Sequence, residues 1–132
     1  MLKDTYIFPC VFIYRESGIS VYFPDLDGCI SHGENEWDAY KSAGEALSLH
    51  LYGMEIDGDC IPEPSELKNL LLEDDQKAVL VEVFMPVLRS KQANKYVKKT
   101  LTIPQWLNVE AERQGVNFSL ILQNGLKEHL HL

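Results

Sequence analysis

The chain has 132 residues, 45 % of them hydrophobic and 24 % charged, and a formal net charge of −8. That length allows one ordinary domain or a small domain with a short module, and the composition is that of a folded, soluble chain rather than a disordered one. No apolar run approaches the roughly 18 residues that a membrane span requires; Met1-Leu2-Lys3-Asp4-Thr5 lacks the basic start and apolar core of a secretion signal, so a cytoplasmic protein is expected.

Thr5 to Tyr14 (TYIFPCVFIY) is rich in β-branched and aromatic residues and predicts a strand. Pro9 inside it points to an edge position or a bulge. Glu16-Ser17-Gly18 is a hairpin turn, Ile19–Phe23 alternates as a returning strand, and Pro24-Asp25-Leu26-Asp27-Gly28 is built from turn formers. Cys29–Gly33 gives a short third strand. Asn35 begins a helix, with Asp38 placed to complete a capping box. Trp37, Tyr40, Ala43, Leu47 and Leu51 recur at helical spacing and predict the face packed on the strands, and Gly53 is the expected stop. A loop follows over 57–65, and Ser65 is placed to cap a short helical turn through Leu72. Ala78–Phe84 is an almost continuous apolar run that fits a strand buried inside the sheet. Pro86–Tyr96 reads as a basic connector or short helix. Cys10, Cys29 and Cys60 form no metal-ligand spacing with one another or with His32 and His50, so reduced buried thiols and no metal or cofactor are expected.

The last third has its own logic. In Val97–Ile103, Val97, Leu101 and Ile103 share one parity and Lys98, Thr100 and Thr102 the other, as on a strand with one oily and one polar face. Pro104 suits the first turn of a helix running to about Gln114; Gly115 is a stop, and Asn117 caps a second helix reaching about His129. This segment is too small to close a core, and a lone strand leaves its backbone unpaired. A two-fold homodimer answers both needs: two strands pair antiparallel over four helices and present Lys98, Thr100 and Thr102 outward, in a ribbon that fits the DNA major groove. The charge divides along the same line. Residues 1–90 hold 6 Lys/Arg against 17 Asp/Glu, a net of −11, and residues 91–132 hold 6 against 3, a net of +3. An acidic body and a mildly basic tail point to two partners of opposite sign.

Lys98-Lys99-Thr100-Leu101-Thr102-Ile103-Pro104, followed by the two helices, resembles a ribbon-helix-helix DNA-binding domain. The resemblance implies base reading by Lys98, Thr100 and Thr102, and a phosphate clamp at Asn117, Phe118 and Ser119, where free N–H groups favour an anion. Phe23-Pro24-Asp25-Leu26-Asp27-Gly28-Cys29, then Gly33, the alanine-bearing helix and Ile61-Pro62-Glu63-Pro64-Ser65 are similar to the HicB antitoxin family. This second resemblance implies an α+β fold. Residues 1–85 would be a partial, degenerate RNase H-like β-β-β-α-β domain, 86–96 a connector, and 97–132 the ribbon-helix-helix. It also implies a function: binding and neutralising a small basic mRNA-cleaving toxin of the HicA type, and repressing its own operon as an operator-bound dimer that could pair into tetramers. Asp25 and Asp27 in the turn, with Glu34 and Glu36 near the helix start, are the expected toxin contacts. Two other readings stand beside it. One is a stand-alone ribbon-helix-helix regulator whose body senses a ligand. The other is a metal-dependent nuclease using Asp25, Asp27, Glu34, Glu36 and Asp38, disfavoured because Tyr6, Phe8, Cys10 and Phe12 put no carboxylate on the first strand.

Overall fold

The computed structural model describes residues 2–93 and 95–132. Four strands, β1 (Thr5–Arg15), β2 (Gly18–Tyr22), β3 (Ile30–Gly33) and β4 (Gln76–Phe84), form one antiparallel sheet in the spatial order β3-β2-β1-β4. Parity decides what each strand buries. Tyr6, Phe8, Cys10 and Phe12 share one face of β1, and their cross-strand neighbours Val83, Val81 and Val21 are buried with them. Helix α1 (Glu36–Asp57) covers that face with Ala39, Ala43, Leu47 and Leu51, all 0 % exposed.

Several expectations need correcting. The buried stripe of α1 starts at Ala39; Trp37 is 78 % exposed and Tyr40 is also exposed. The reason is proximity: a Cβ built on Gly33 of β3 would stand 2.2 Å from the Ala39 nitrogen, so strand and helix nearly touch there and only small side chains fit. Gly53 does not end the helix. It is carried inside it, at a cost of about 1 kcal/mol relative to alanine, and the stop falls at Gly58. With φ 73°, Gly58 adopts the left-handed cap and donates its N–H to Glu55 O and Met54 O. Asn35 caps α1 as expected, its Oδ1 accepting from Asp38 N at 2.9 Å; the reciprocal bond of the capping box falls one residue earlier, with Asp38 Oδ2 accepting from Glu34 N at 2.9 Å.

Pro9 lies on an inner strand without a bulge. Met85 N donates to Asp4 O and Tyr14 N to Asp75 O, so even-numbered residues of β1 make the hydrogen-bonded pairs with β4. The nitrogen of Pro9 therefore faces the β2 side, where pairing begins only at Val11↔Tyr22. The missing donor meets no acceptor strand. β4, in turn, is an edge strand rather than an interior one: Val81 and Val83 are buried, whereas Leu80 and Phe84 on the other face are 48 % and 56 % exposed. Ser65 caps nothing. A 3-10 turn at Leu67–Asn69 begins at Glu66 without a side-chain cap bond, and Ser65 binds Asp25 instead.

Residues after β4 form helix α2 (Met85–Ala93). Arg89 ties it to the start of β1 and the end of α1. Its Nε and Nη2 donate to Glu55 Oε2 and Oε1 at 3.1 and 2.6 Å, Nη1 to Asp4 Oδ1 at 3.2 Å, and Nη2 also to Lys3 O at 2.7 Å.

The chain divides into two compact units, Met1–Lys95 and Tyr96–Leu132. In the second, Pro104 is the N-cap residue of α3 (Gln105–Arg113), Gly115 (φ 68°) makes the turn, and α4 (Phe118–Leu130) follows. The expected strand at Val97–Ile103 is not one in the single chain. It forms neither helix nor ladder, and Leu101 and Ile103 are 56 % and 42 % exposed. A ladder needs a second strand, and residues 96–132 contain none.

Candidate functional site

The turn after β2 and the far end of α1 build an acidic groove. The carboxylate of Asp25 accepts from Ser65 N at 2.9 Å and from Ser65 Oγ at 2.5 Å, which staples the 58–66 loop to the turn. That loop then flanks the C-terminal half of α1. The resulting groove, about 630 Å³, is lined by Asp27, His50, Asp57, Asp59 and Cys60 together with Asp25. Helix C-termini carry partial negative charge and are ordinarily met by Lys or Arg. The last turn of α1 has no basic residue, and Asp57 and Asp59 bracket its cap. Negative potential therefore concentrates at this groove, which suits a cationic side chain.

The four acids expected to act together are in two places. Asp27 is at the groove, beside residues 49–57 of α1, with Asp25 partly committed to Ser65. Glu34 and Glu36 are at the opposite end of the helix, where Glu36 Oε2 accepts from Tyr14 Oη at 3.2 Å. Between Glu36 and Leu49, α1 rises about 20 Å. Asp57 and Asp59 were missed by sequence reasoning, although two acids beside a C-terminal glycine already run against the helix dipole. Among the described residues, no group of three or more His, Cys, Asp or Glu is placed to hold a metal ion. Burial pushes the Cys10 thiol up to about 12 and the Cys29 thiol to about 11. Cys60 is exposed, against the expectation of three buried thiols.

In the second unit Lys98, Thr100 and Thr102 are exposed on the segment leading into α3. Asn117 caps α4: its Oδ1 accepts from Leu120 N at 3.0 Å. Phe118 and Ser119 occupy the first turn, where backbone N–H groups have no partner within the helix. On the apolar side, Leu101, Ile103, Leu107, Ala111, Phe118 and Ile121 line an open groove of about 620 Å³. Among the described residues of 96–132, none is buried.

A family model described as the HicB-like antitoxin of bacterial toxin–antitoxin systems matches residues 10–117. An uncharacterised 14.9 kDa protein from the rep-hol intergenic region of Haemophilus phage HP1 (strain HP1c1) is 28 % identical over 101 residues, 76 % of this chain and 75 % of that one. Of solved structures, a toxin–antitoxin complex from Streptococcus pneumoniae matches with TM-score 0.61 at 23 % identity, over 95 % of this chain and 99 % of that one. A chain of the HicA3–HicB3 toxin–antitoxin complex matches with TM-score 0.50 at 28 % identity, over 59 % of this chain and 98 % of that one.

Proposed function

The chain belongs to the HicB-like antitoxin family of bacterial toxin–antitoxin systems, and on that footing we propose that it holds a small basic HicA-type toxin on its acidic first unit and represses its own operon through its second. The HicA3–HicB3 relative supports the choice of toxin. The acidic groove at Asp27, Asp57 and Asp59 supports its placement, since a protein that handles RNA must carry cationic side chains. Glu34 and Glu36 form a second, separate contact at the head of α1. We read the first unit as a partial RNase H-like layer, here in an all-antiparallel sheet, and its place of action as the cytoplasm.

The observation that carries the DNA half is the unburied second unit. Its two helices are formed, and α4 is capped by Asn117, yet Leu101, Leu107, Phe118 and Ile121 are each 41 to 56 % exposed. A unit with no interior of its own is completed by a second copy. Pairing 97–103 with its copy would satisfy the strand backbone, cover Leu101 and Ile103, and turn Lys98, Thr100 and Thr102 outward as a ribbon-helix-helix. Asn117, Phe118 and Ser119 would then clamp phosphate through the start of α4.

The test separates the two partners. Lys98→Ala and Thr100→Ala are expected to weaken binding to the DNA upstream of the operon by roughly 1–3 kcal/mol each, the scale of one base contact. Rescue of cells expressing the toxin should be unchanged. Loss of both activities together would refute the division of labour. Operator affinity should also fall steeply with salt as phosphate contacts release counterions.

A further inference from the structure

Three segments far apart in sequence meet at Tyr14, at the end of the sheet where α1 begins. The Tyr14 ring lies against that of Phe12, which is buried in the core, with centroids 6.5 Å apart. Its backbone N–H donates to Asp75 O at 2.9 Å and holds the turn before β4 beside β1. Its hydroxyl donates to Glu36 Oε2 at 3.2 Å and so reaches the first turn of α1. Glu73, Asp74 and Asp75 are thereby brought to the same end of the sheet as Glu34, Glu36 and Asp38, and all of them but Asp38 are fully exposed to solvent. Among the described residues, no lysine or arginine forms an ion pair with any of the six. Within this acidic rim stands an uncovered aromatic side chain. Trp37 is 78 % exposed, and Tyr40, one turn along the same helix, is 39 % exposed. Tryptophan is highly buried in most folded chains; here the close approach of Gly33 to Ala39 keeps it out of the core.

We infer that this end of the first unit docks a cationic face of the toxin, with Trp37 as the anchor and the carboxylates of the two acidic segments as the rim. The inference rests on the reading of the first unit as the holder of a basic toxin, and it extends the contact at Glu34 and Glu36 to a surface with a centre. The face of an indole attracts a guanidinium or an ammonium group, and a tryptophan that becomes covered on binding is a characteristic source of binding energy at protein interfaces. Charge selects the occupant. Nucleic acid is repelled by the rim, and a second copy placed across a two-fold axis would set the same carboxylates against one another. A basic protein gains from both the rim and the indole. Nor does the acidic groove at the other end of α1 compete for it: the helix rises about 20 Å between the two, and a small domain is about 30 Å across, so one toxin can touch both.

The test is the rate of association and dissociation between the full-length chain and the HicA-type toxin of the same operon. Trp37→Ala changes an exposed helix position to the best helix former, so the fold is kept. It should weaken toxin binding about 30-fold, the scale of a lost anchor, mainly through faster dissociation. Trp37→Lys should lose more, because it sets a cation where a cation docks. Neutralising the rim with Glu73→Gln, Asp74→Asn and Asp75→Asn should instead slow association about tenfold and flatten its dependence on salt. Asp27→Asn with Asp57→Asn reports on the groove alone. If that pair abolishes binding while Trp37→Ala and the rim variant bind as the unaltered chain does, the groove reading stands and this inference is overturned. If Trp37→Ala weakens binding and the groove pair does not, this inference stands and the groove reading fails. An unaltered chain that does not bind the toxin overturns both. A Trp37→Ala change that lowers the mass of the free protein and leaves toxin affinity intact would assign the surface to a second copy, and also overturns the inference.

Discussion

Replacing Arg89 with alanine tests what fixes α2 to the sheet and α1. The guanidinium makes a bidentate pair with Glu55, whose side chain is only 4 % exposed, while Arg89 itself is 25 % exposed. Removing the arginine strands a carboxylate in a site closed on most sides. Breaking a fully buried pair in this way costs about 3–5 kcal/mol. Water can enter through the space the arginine leaves, so a loss of about 2–4 kcal/mol is expected. The Asp4 contact adds little, because that carboxylate is 69 % exposed and surface pairs are worth about 0–1 kcal/mol. Urea unfolding of the full chain followed by circular dichroism gives the number. The double variant Arg89→Met with Glu55→Leu should recover most of the loss, since the stranded charge is gone and the aliphatic stems still pack. A change below about 0.5 kcal/mol for Arg89→Ala, on the scale of an ordinary surface substitution, would refute the reasoning.

Gly33→Ala should be among the most damaging single-methyl changes in the first unit. Its Cβ would lie 2.2 Å from the Ala39 nitrogen and 2.8 Å from the Ala39 Cβ, so β3 and α1 must separate; a loss of at least about 1–3 kcal/mol in urea unfolding is expected, and an unaffected midpoint would deny the close approach. A thiol reagent should modify one cysteine quickly, Cys60, with Cys10 and Cys29 reacting only on unfolding; rapid loss of three thiols from the native protein would contradict their burial. The raised thiol pKa values also set a sign. The native state retains both protons where the unfolded chain, with thiols near 9.0, has begun to release them. This contribution is fully present below pH 9 and lost as pH climbs toward 11 and 12, and a stability that rises over that range would be against it.

Local signals explain why so much of the element order was legible. The strand–strand–strand–helix–strand series follows from period-two runs broken by turn formers, and the caps at Asn35 and Asn117 act through bonds three residues away, within reach of sequence reasoning. Errors arose where a distant contact decides. Trp37 has helical spacing with Ala43 and Leu47, yet the nearness of Gly33 to Ala39 sets which face goes inward. The apolar run of β4 suggested an interior strand, but an edge strand with an exposed apolar face has the same composition. Gly53 and Gly58 are both plausible stops until the backbone chooses one. The acidic groove was illegible for a related reason: Asp27 and Asp57 are thirty residues apart and line one groove only once the turn after β2 lies beside the end of α1.

The two units differ in what holds them together, and this bears on how one chain would serve the two proposed partners. The first has a buried core running from Tyr6 to Met85 and can present its acidic groove without help from another copy. The second has no interior, and under the proposed pairing its order would be linked by mass action to finding a second chain. Capture of a toxin should then depend on the concentration of single chains, whereas occupancy of DNA should depend on the concentration of pairs.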